Sequence, residues 1–509
     1  MSTYMQLGQA AIQARNTEEA VTWFTKLVEE EPKNAQALSC LGQSLCWLGK
    51  REQGLVHLRN AGKQLLKSAK KTKDVALPIL LAEQLQYWED YPGALDLARQ
   101  VVQINSADLS GFRLLAVTYL RLNQNKLALA AARQALKLAP DNAVINILLA
   151  PMEAADGQRD VAKQRLEKVL NGQLSPEQSY RAHKELALIL DKQAQYSDVF
   201  PHLHAAAEAS ALIPEVQNQD AQMVPNMIKA NKAGFDHALL SRWADAEFPD
   251  SPAPIFLVGF LRSGTTMTQE VLGAHPDVFV SDETDFIPAL SNELKKLFGN
   301  VGSTIDQLKN IDFAGVLHLR QLYWELARSR FGDNAKRRFY LDKTTMNTID
   351  LGLINCIFPD AKVVFVIRDP RDICLSCYMQ IMTPTASTIQ LLNWQNTASF
   401  YALTMDWWLH FKQLTTLHFI EFRYEDAVTD FEGTYRQVFD FLGLDWHPDV
   451  INFHQSAAKK HIVSPSFNQV TQPLYATSVA RWQRYESEFA SVSPLLEPYI
   501  EVFGYKLVN

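Results

Sequence analysis

The sequence predicts an all-α repeat array followed by an α/β domain with a parallel sheet. Three observations predict it. Small residues recur with a period near 34 positions through the first part of the 509-residue chain. A proline-rich run, Phe248-Pro-Asp-Ser-Pro-Ala-Pro254, then breaks the helical pattern. Beyond it, apolar strand-like runs alternate with helical stretches, the grammar of strands joined by crossover helices. A length prior of about 150 residues per domain allows two to four domains. The expected division is residues 1–210 for the repeats, 211–250 for a helical linker and 251–509 for the α/β domain.

In the repeats, a small residue follows an apolar one at Gly8, Gly42, Ala82, Ala116, Ala150 and Ala187. Twelve positions later stand Ala20, Gly54, Ala94, Ala128, Ala162 and Val199. Phe24, Leu58, Leu166 and Leu203 come four residues after their partners, and Pro32 and Pro140 fall where a helix should stop. The pattern resembles the tetratricopeptide repeat, 34 residues forming two antiparallel helices, and covers about six repeats. The resemblance implies a superhelix whose concave face takes a peptide or protein partner. A six-residue insertion near Lys67-Ser-Ala-Lys-Lys-Thr-Lys73 reads as a basic surface turn.

In the second half, strand-like runs are expected at 255–259, 277–281, 337–341, 362–367 and 417–422. The first leads into Gly259-Phe-Leu-Arg262-Ser263-Gly264-Thr265-Thr266. Its glycine spacing is that of a phosphate-binding loop, G-x-x-x-x-G-K-[ST], with Thr265 at the lysine position. Backbone N–H groups of such a turn, with the helix N-terminus behind it, cradle an anion. Without the lysine, the triphosphate of a Mg-bound nucleotide loses its usual counter-charge. The fourth run ends in Arg368-Asp369-Pro370-Arg371-Asp372, and Ser376 follows eight residues after Arg368.

This loop, with the downstream Arg-x7-Ser, resembles the sulfotransferase family, enzymes that use 3′-phosphoadenosine 5′-phosphosulfate (PAPS). The resemblance implies a P-loop-like three-layer α/β sandwich. It implies that Arg262, Ser263, Gly264, Thr265 and Thr266 cradle the 5′-phosphosulfate, and that Arg368 and Ser376 hold the 3′-phosphate. Tyr424, in Arg423-Tyr424-Glu425-Asp426, would lie beside the nucleotide. Ser281-Asp282-Glu283-Thr284, Leu341-Asp342-Lys343-Thr344, Ser466-Phe-Asn-Gln469 and Arg481-Trp482 are similar to tyrosylprotein sulfotransferases and their bacterial relatives. By that likeness Glu283 is the general base, Lys343 stabilises the bridging oxygen, Ser466 contacts the transferring group and Arg481 closes over the 3′-phosphate. No metal is required, since fixed cations and N–H groups can hold the leaving bisphosphate.

Alternatives remain at the base. Asp282 adjoins Glu283, and His275, in Leu272-x-x-His275-Pro276, could serve as in small-molecule relatives; the Glu-Thr match favours Glu283. Three departures weaken a tyrosine-peptide acceptor: Asp285, Gln380 and Gln472 stand where the subfamily has basic residues. Cys374 and Cys377 have the C-x-x-C spacing of a redox or metal pair, but no second pair accompanies them. They read as small residues on a buried helix.

Composition sets further bounds. A net charge of −7 offers no general basic footprint for nucleic acid. No apolar run reaches the ~18 residues of a membrane span, and the N-terminus lacks the pattern of a signal peptide. Five cysteines suit a reducing compartment. The expectation is a cytoplasmic PAPS-dependent sulfotransferase acting on a hydroxyl, a peptide or protein tyrosine among the candidates, with the repeats recruiting the acceptor or a partner. Rival classes are a repeat scaffold carrying an inactive sulfotransferase-like module, a carbohydrate or small-molecule sulfotransferase, and a kinase. Every cradle residue lies beyond Gly234, so a chain beginning there is expected to keep the nucleotide site.

Overall fold

The computed structural model describes residues 2–14, 16–457 and 478–507. The described chain forms two compact units that divide between Leu174 and Ser175. The first holds helices in antiparallel succession from Thr3–Gln13 to Arg159–Leu170. The small positions are where helices approach most closely. A Cβ on Gly8 would lie 2.4 Å from the Phe24 ring, and one on Gly54 would lie 2.5 Å from the Gly42 carbonyl. Ala82, Ala94, Ala116, Ala128, Ala150 and Ala162 are all fully buried. The presumed basic turn is instead helical: Arg51–Thr72 runs straight through Lys67–Lys71 and ends where Lys73 turns left-handed, at φ 63°. Lysine and alanine favour helix, and the segment holds no breaker.

The sixth helix pair, Pro176–Lys192 and Val199–Ser210, falls in the second unit although its sequence reads as a repeat. Lys184 is fully buried and donates to the backbone carbonyl of Tyr378. Phe200 packs against Tyr378, Trp394 and Tyr485. The linker region belongs there too: Asn231 donates to the Ile349 carbonyl, and Phe235 lies against Gly352.

The second unit is built on five parallel strands: β1 (Ile255–Gly259), β2 (Val278–Asp282), β3 (Phe339–Lys343), β4 (Lys362–Ile367) and β5 (His418–Arg423). Their order is β2-β3-β1-β4-β5. The strand-like runs of the sequence fall within two residues of these bounds. The register sets Leu257 beside Lys343, Asp282 beside Lys343, and Gly259 beside Val366. One sheet face packs Leu257, Leu341, Val364 and Val366 against Met267, Val271, Tyr435 and Phe439 from two helices. On the other, Phe365 stacks on Trp408 at 3.9 Å and Phe256 meets Phe358. Helices thus cover both faces, which is why the central strands read as unbroken apolar runs. Polar side chains are pushed to the strand ends. Among the described residues, no helix is long and apolar enough to cross a membrane.

Candidate functional site

In an open parallel sheet, ligands bind beyond the carboxyl ends of the strands, where the strand order reverses. Here β1 leads to β2 through one flank and β3 leads to β4 through the other, so the reversal lies at β1. The loop after β1 holds the candidate cradle. Gly264 has φ 111°, and a Cβ there would lie 2.6 Å from the Tyr424 ring. A Cβ on Gly259 would lie 2.7 Å from both Ser263 Oγ and the Val366 carbonyl. Both glycines are therefore fixed by close approach, one of them also by a left-handed backbone. Arg262 is left-handed too, at φ 69°, a conformation that costs a non-glycine residue and concentrates at functional sites. Thr265 and Thr266 open the helix Thr265–Gly273.

Thr265, at the lysine position of a P-loop, pairs its hydroxyl with Thr345 at 2.9 Å. Thr348 bonds both the N–H and the carbonyl of Gly259. These contacts tie the segment after β3 to the cradle. At the end of β3 lies Lys343, whose side chain is 1% exposed. Its Nζ lies 2.6 Å from Glu283 Oε1 and 3.3 Å from Asp282 Oδ1. Burial works to lower its pKa, but the two carboxylates outweigh burial and hold the ammonium above its ordinary value. Asp342 points to the opposite side of the strand and is buried among the hydroxyls of Tyr323, Thr284 and Thr344. Burial raises its pKa, which those donors only partly offset. Thr284 N–H also donates to Thr344 Oγ1, so the backbone just after Glu283 is held to β3.

On the other flank, β4 delivers Arg368. Its guanidinium donates to the carbonyls of Arg262 at 2.9 Å and Ser478 at 2.5 Å, and lies 5.0 Å from the Tyr424 ring centre. Arg262 Nε donates to Ser376 Oγ at 3.0 Å, so Arg262 reaches from the cradle to the second motif. Asp369 caps the helix Pro370–Met379 through the N–H of Arg371. Asp372 accepts from the Trp482 N–H at 2.9 Å and lies 3.9 Å from Arg368. Burial raises its pKa to about 6, against the pull of Arg368. Arg481 pairs with Asp191 at 2.7 Å.

The structure therefore brings together Arg262, Ser263, Gly264, Thr265, Thr266, Arg368, Ser376 and Tyr424 around one loop, with Glu283 and Lys343 at the neighbouring strand ends. Ser466 and Gln472 lie outside the described residues. Asp285 is exposed, 3.8 Å from Arg330. His275 sits at the far end of the cradle helix, packed against Phe439, and accepts from the Asp277 N–H. That is a structural place, about 13 Å along the helix from its start at 1.5 Å per residue. Cys374 and Cys377 are buried, and burial raises both thiols, Cys377 to about 12. They pack as helix residues. Asp372 and Asp191 escaped the motif reading. The i, i+4 spacing of Arg368 and Asp372 was a readable signal; nothing local marks Asp191.

The residues fit a phosphate-bearing ligand. Ser263 Oγ and Arg368 Nε are buried without a hydrogen-bond partner among the described residues. Two donors beside a glycine-lined loop are what a bound phosphate would satisfy.

Comparison with known proteins agrees. Residues 254–448 match the model of the sulfotransferase family, and residues 2–34 and 114–142 match the tetratricopeptide repeat. The chain thus carries a sulfotransferase-family domain behind tetratricopeptide repeats. It is similar to an uncharacterised protein of Aquifex aeolicus (strain VF5), 26% identical over 79% of this chain and 52% of the relative. It is also similar to protein-tyrosine sulfotransferase A of Caenorhabditis elegans, 25% identical over 51% of this chain and 70% of the relative. The chain thus spans about half the length of the Aquifex relative. Among solved structures, the sulfotransferase domain from the curacin biosynthetic pathway aligns at 18% identity with a TM-score of 0.37, over 50% of this chain and 99% of that domain.

Proposed function

We propose that the second unit transfers a sulfuryl group from PAPS to an acceptor hydroxyl, and that the repeats recruit a peptide or protein acceptor. The observation that carries the reading is the Glu283–Lys343 contact of 2.6 Å at the ends of adjacent strands, beside the glycine cradle. It supplies a carboxylate able to take a proton and a permanently charged donor within one hydrogen bond of each other. Bound in the cradle, PAPS supplies the sulfuryl group and a bisphosphate leaving group.

Glu283, whose side chain is 48% exposed, can meet an acceptor from solvent and take its hydroxyl proton. Lys343 cannot leave: it is buried and held by two carboxylates. Its charge would stabilise the negative charge that develops on the leaving oxygen. The backbone of residues 262–266 and the Ser263 hydroxyl hold the 5′ side, while Arg368 and Ser376 read the 3′-phosphate. Tyr424 packs beneath Gly264 and presents a ring beside Arg368, a surface suited to the nucleotide. Ser466 and Arg481 complete the set by resemblance. A cytoplasmic setting belongs to the same proposal and suits five free thiols, four of them buried.

Calorimetric titration tests the reading. The chain should bind 3′-phosphoadenosine 5′-phosphate without added metal and far more tightly than adenosine 5′-phosphate. Arg368→Ala should erase most of that preference, about 2–5 kcal/mol for a buried charged partner. Equal affinity of the unsubstituted protein for the two nucleotides would overturn it.

A further inference from the structure

We propose that Asp191 is a positioning residue for recognition of the nucleotide's 3′-phosphate, acting through Arg481; the proposal rests on the nucleotide reading above. Asp191 closes the helix Pro176–Lys192, whose sequence belongs to the repeat pattern and not to the sulfotransferase motifs. Its side chain is only 10% exposed. Both carboxylate oxygens are engaged by one stretch of chain: Oδ2 lies 2.7 Å from Arg481 Nη2, and Oδ1 accepts from the Tyr485 hydroxyl at 2.6 Å.

That stretch is fastened to the second phosphate motif. Ser478 accepts from Arg368, the Trp482 N–H donates to Asp372, and the Trp482 ring lies 3.7 Å from the Arg371 guanidinium. Arg481 thus stands between two anchors on the Arg368–Asp372 segment. A free arginine has many rotamers, and ordering one costs entropy each time it binds a ligand. Nη2 is shared between Asp191 and Met379 Sδ at 3.2 Å; the guanidinium carries five donors, so among the described residues those on Nε and Nη1 remain for a phosphate. The same helix grips the opposite side of the motif. Lys184 donates to the Tyr378 carbonyl at the C-terminal end of Pro370–Met379, the helix that carries Ser376. Burial pushes the Lys184 ammonium down to about 7. One helix therefore sets both segments that would read the 3′-phosphate.

The test titrates the full chain with 3′-phosphoadenosine 5′-phosphate and with adenosine 5′-phosphate, and follows melting alongside. Asp191→Asn should weaken the bisphosphate about tenfold or more, the loss of one charge-assisted hydrogen bond, and leave the monophosphate nearly unchanged. Asp191→Glu, which keeps the charge, should retain most of the preference. Added to Arg481→Gln, Asp191→Asn should have no further effect, since the two act as one unit. Equal weakening of both nucleotides, no weakening, or full additivity with Arg481→Gln would each overturn the proposal. If Asp191→Asn does not fold, Asp191→Gln, which removes the charge but keeps an acceptor for Tyr485, takes its place. Loss of the 3′-phosphate preference in that folded protein supports the proposal, and retained preference overturns it. An unsubstituted protein without the preference would instead refute the nucleotide reading itself.

Discussion

Replacing Lys343 with methionine separates its structural role from its chemical one. Two unit charges about 4 Å apart attract by ~4 kcal/mol at an effective dielectric of 20. Here the partners, Asp282 and Glu283, are 30% and 48% exposed, so water screens part of that attraction. Burying the ammonium costs several kcal/mol in the other direction. The terms nearly cancel, and methionine refills the volume, so stability should move by no more than about 2 kcal/mol. Because the pKa is held above its ordinary value, the pairing's contribution is fully present at neutral pH. It is lost only as pH rises past that raised value, beyond ~10.4. Turnover should respond differently. Loss of one donor aimed at developing negative charge costs roughly 10²–10³. Melting, titration with 3′-phosphoadenosine 5′-phosphate, and single-turnover transfer from PAPS to a small phenol measure the three quantities. The expected result is a folded, nucleotide-binding protein with turnover cut on that scale. Near-normal turnover, or a loss wholly explained by weaker nucleotide binding, would refute the role given to Lys343.

Two more perturbations follow from the geometry. Asp372 has its folded pKa raised to about 6, so the folded state takes its proton first, and its contribution to stability falls as pH rises from about 4 to 6. Denaturant melts across that range should show stability falling by on the order of 3 kcal/mol, a fall that Asp372→Asn removes, and parallel curves for the two proteins would contradict it. A chain beginning at Ser175 should fold and bind 3′-phosphoadenosine 5′-phosphate like the whole protein. One beginning at Gly234 loses Lys184, Asp191 and Phe200, and should precipitate or bind weakly, as circular dichroism and titration would show; equal binding by both would contradict this.

The central strands β1 and β4 were legible because each buries both faces and so reads as an apolar run between breakers, while the partly exposed β2 and β5 were read from their alternation with helices. Arg368 was legible because its motif follows an apolar strand, and Ser376 because it falls eight residues later in the helix that comes next, whereas Glu283 and Lys343 were legible only through the family resemblance. The grouping of the sixth helix pair with the second unit was not legible, and the reason is physical. Ala187 and Val199 record how closely two helices approach each other, not what the pair packs against next. Lys184 and Asp191 sit on that same helix as ordinary charged residues, and their partners, Tyr378 and Arg481, lie far along the chain. The basic stretch Lys67–Lys71 suggests a turn by its charge, yet it is helical because no glycine or proline interrupts it. The register, which sets Lys343 against Asp282, has no local signal at all.

Strand order explains how a loop without its lysine can still serve an anion. In a P-loop that places lysine after the second glycine, the cation belongs to the loop and follows the phosphate tail. Here that position is Thr265, spent on a hydrogen bond to Thr345. The cation comes from β3, one strand away, where burial and two carboxylates fix it. Because β1 lies between β3 and β4, the sheet divides the work. The acid–cation pair of Glu283 and Lys343 stands on the β2–β3 flank, open to an acceptor. Arg368, Ser376 and Tyr424 stand on the β4–β5 flank, where the proposed function would put the nucleotide's distal phosphate. A charge on the loop itself would serve both flanks alike and favour any phosphate tail. On the proposed reading, moving it to β3 would put the positive charge where a bond is to break and leave recognition of the nucleotide to the opposite flank, so that each could be changed without the other.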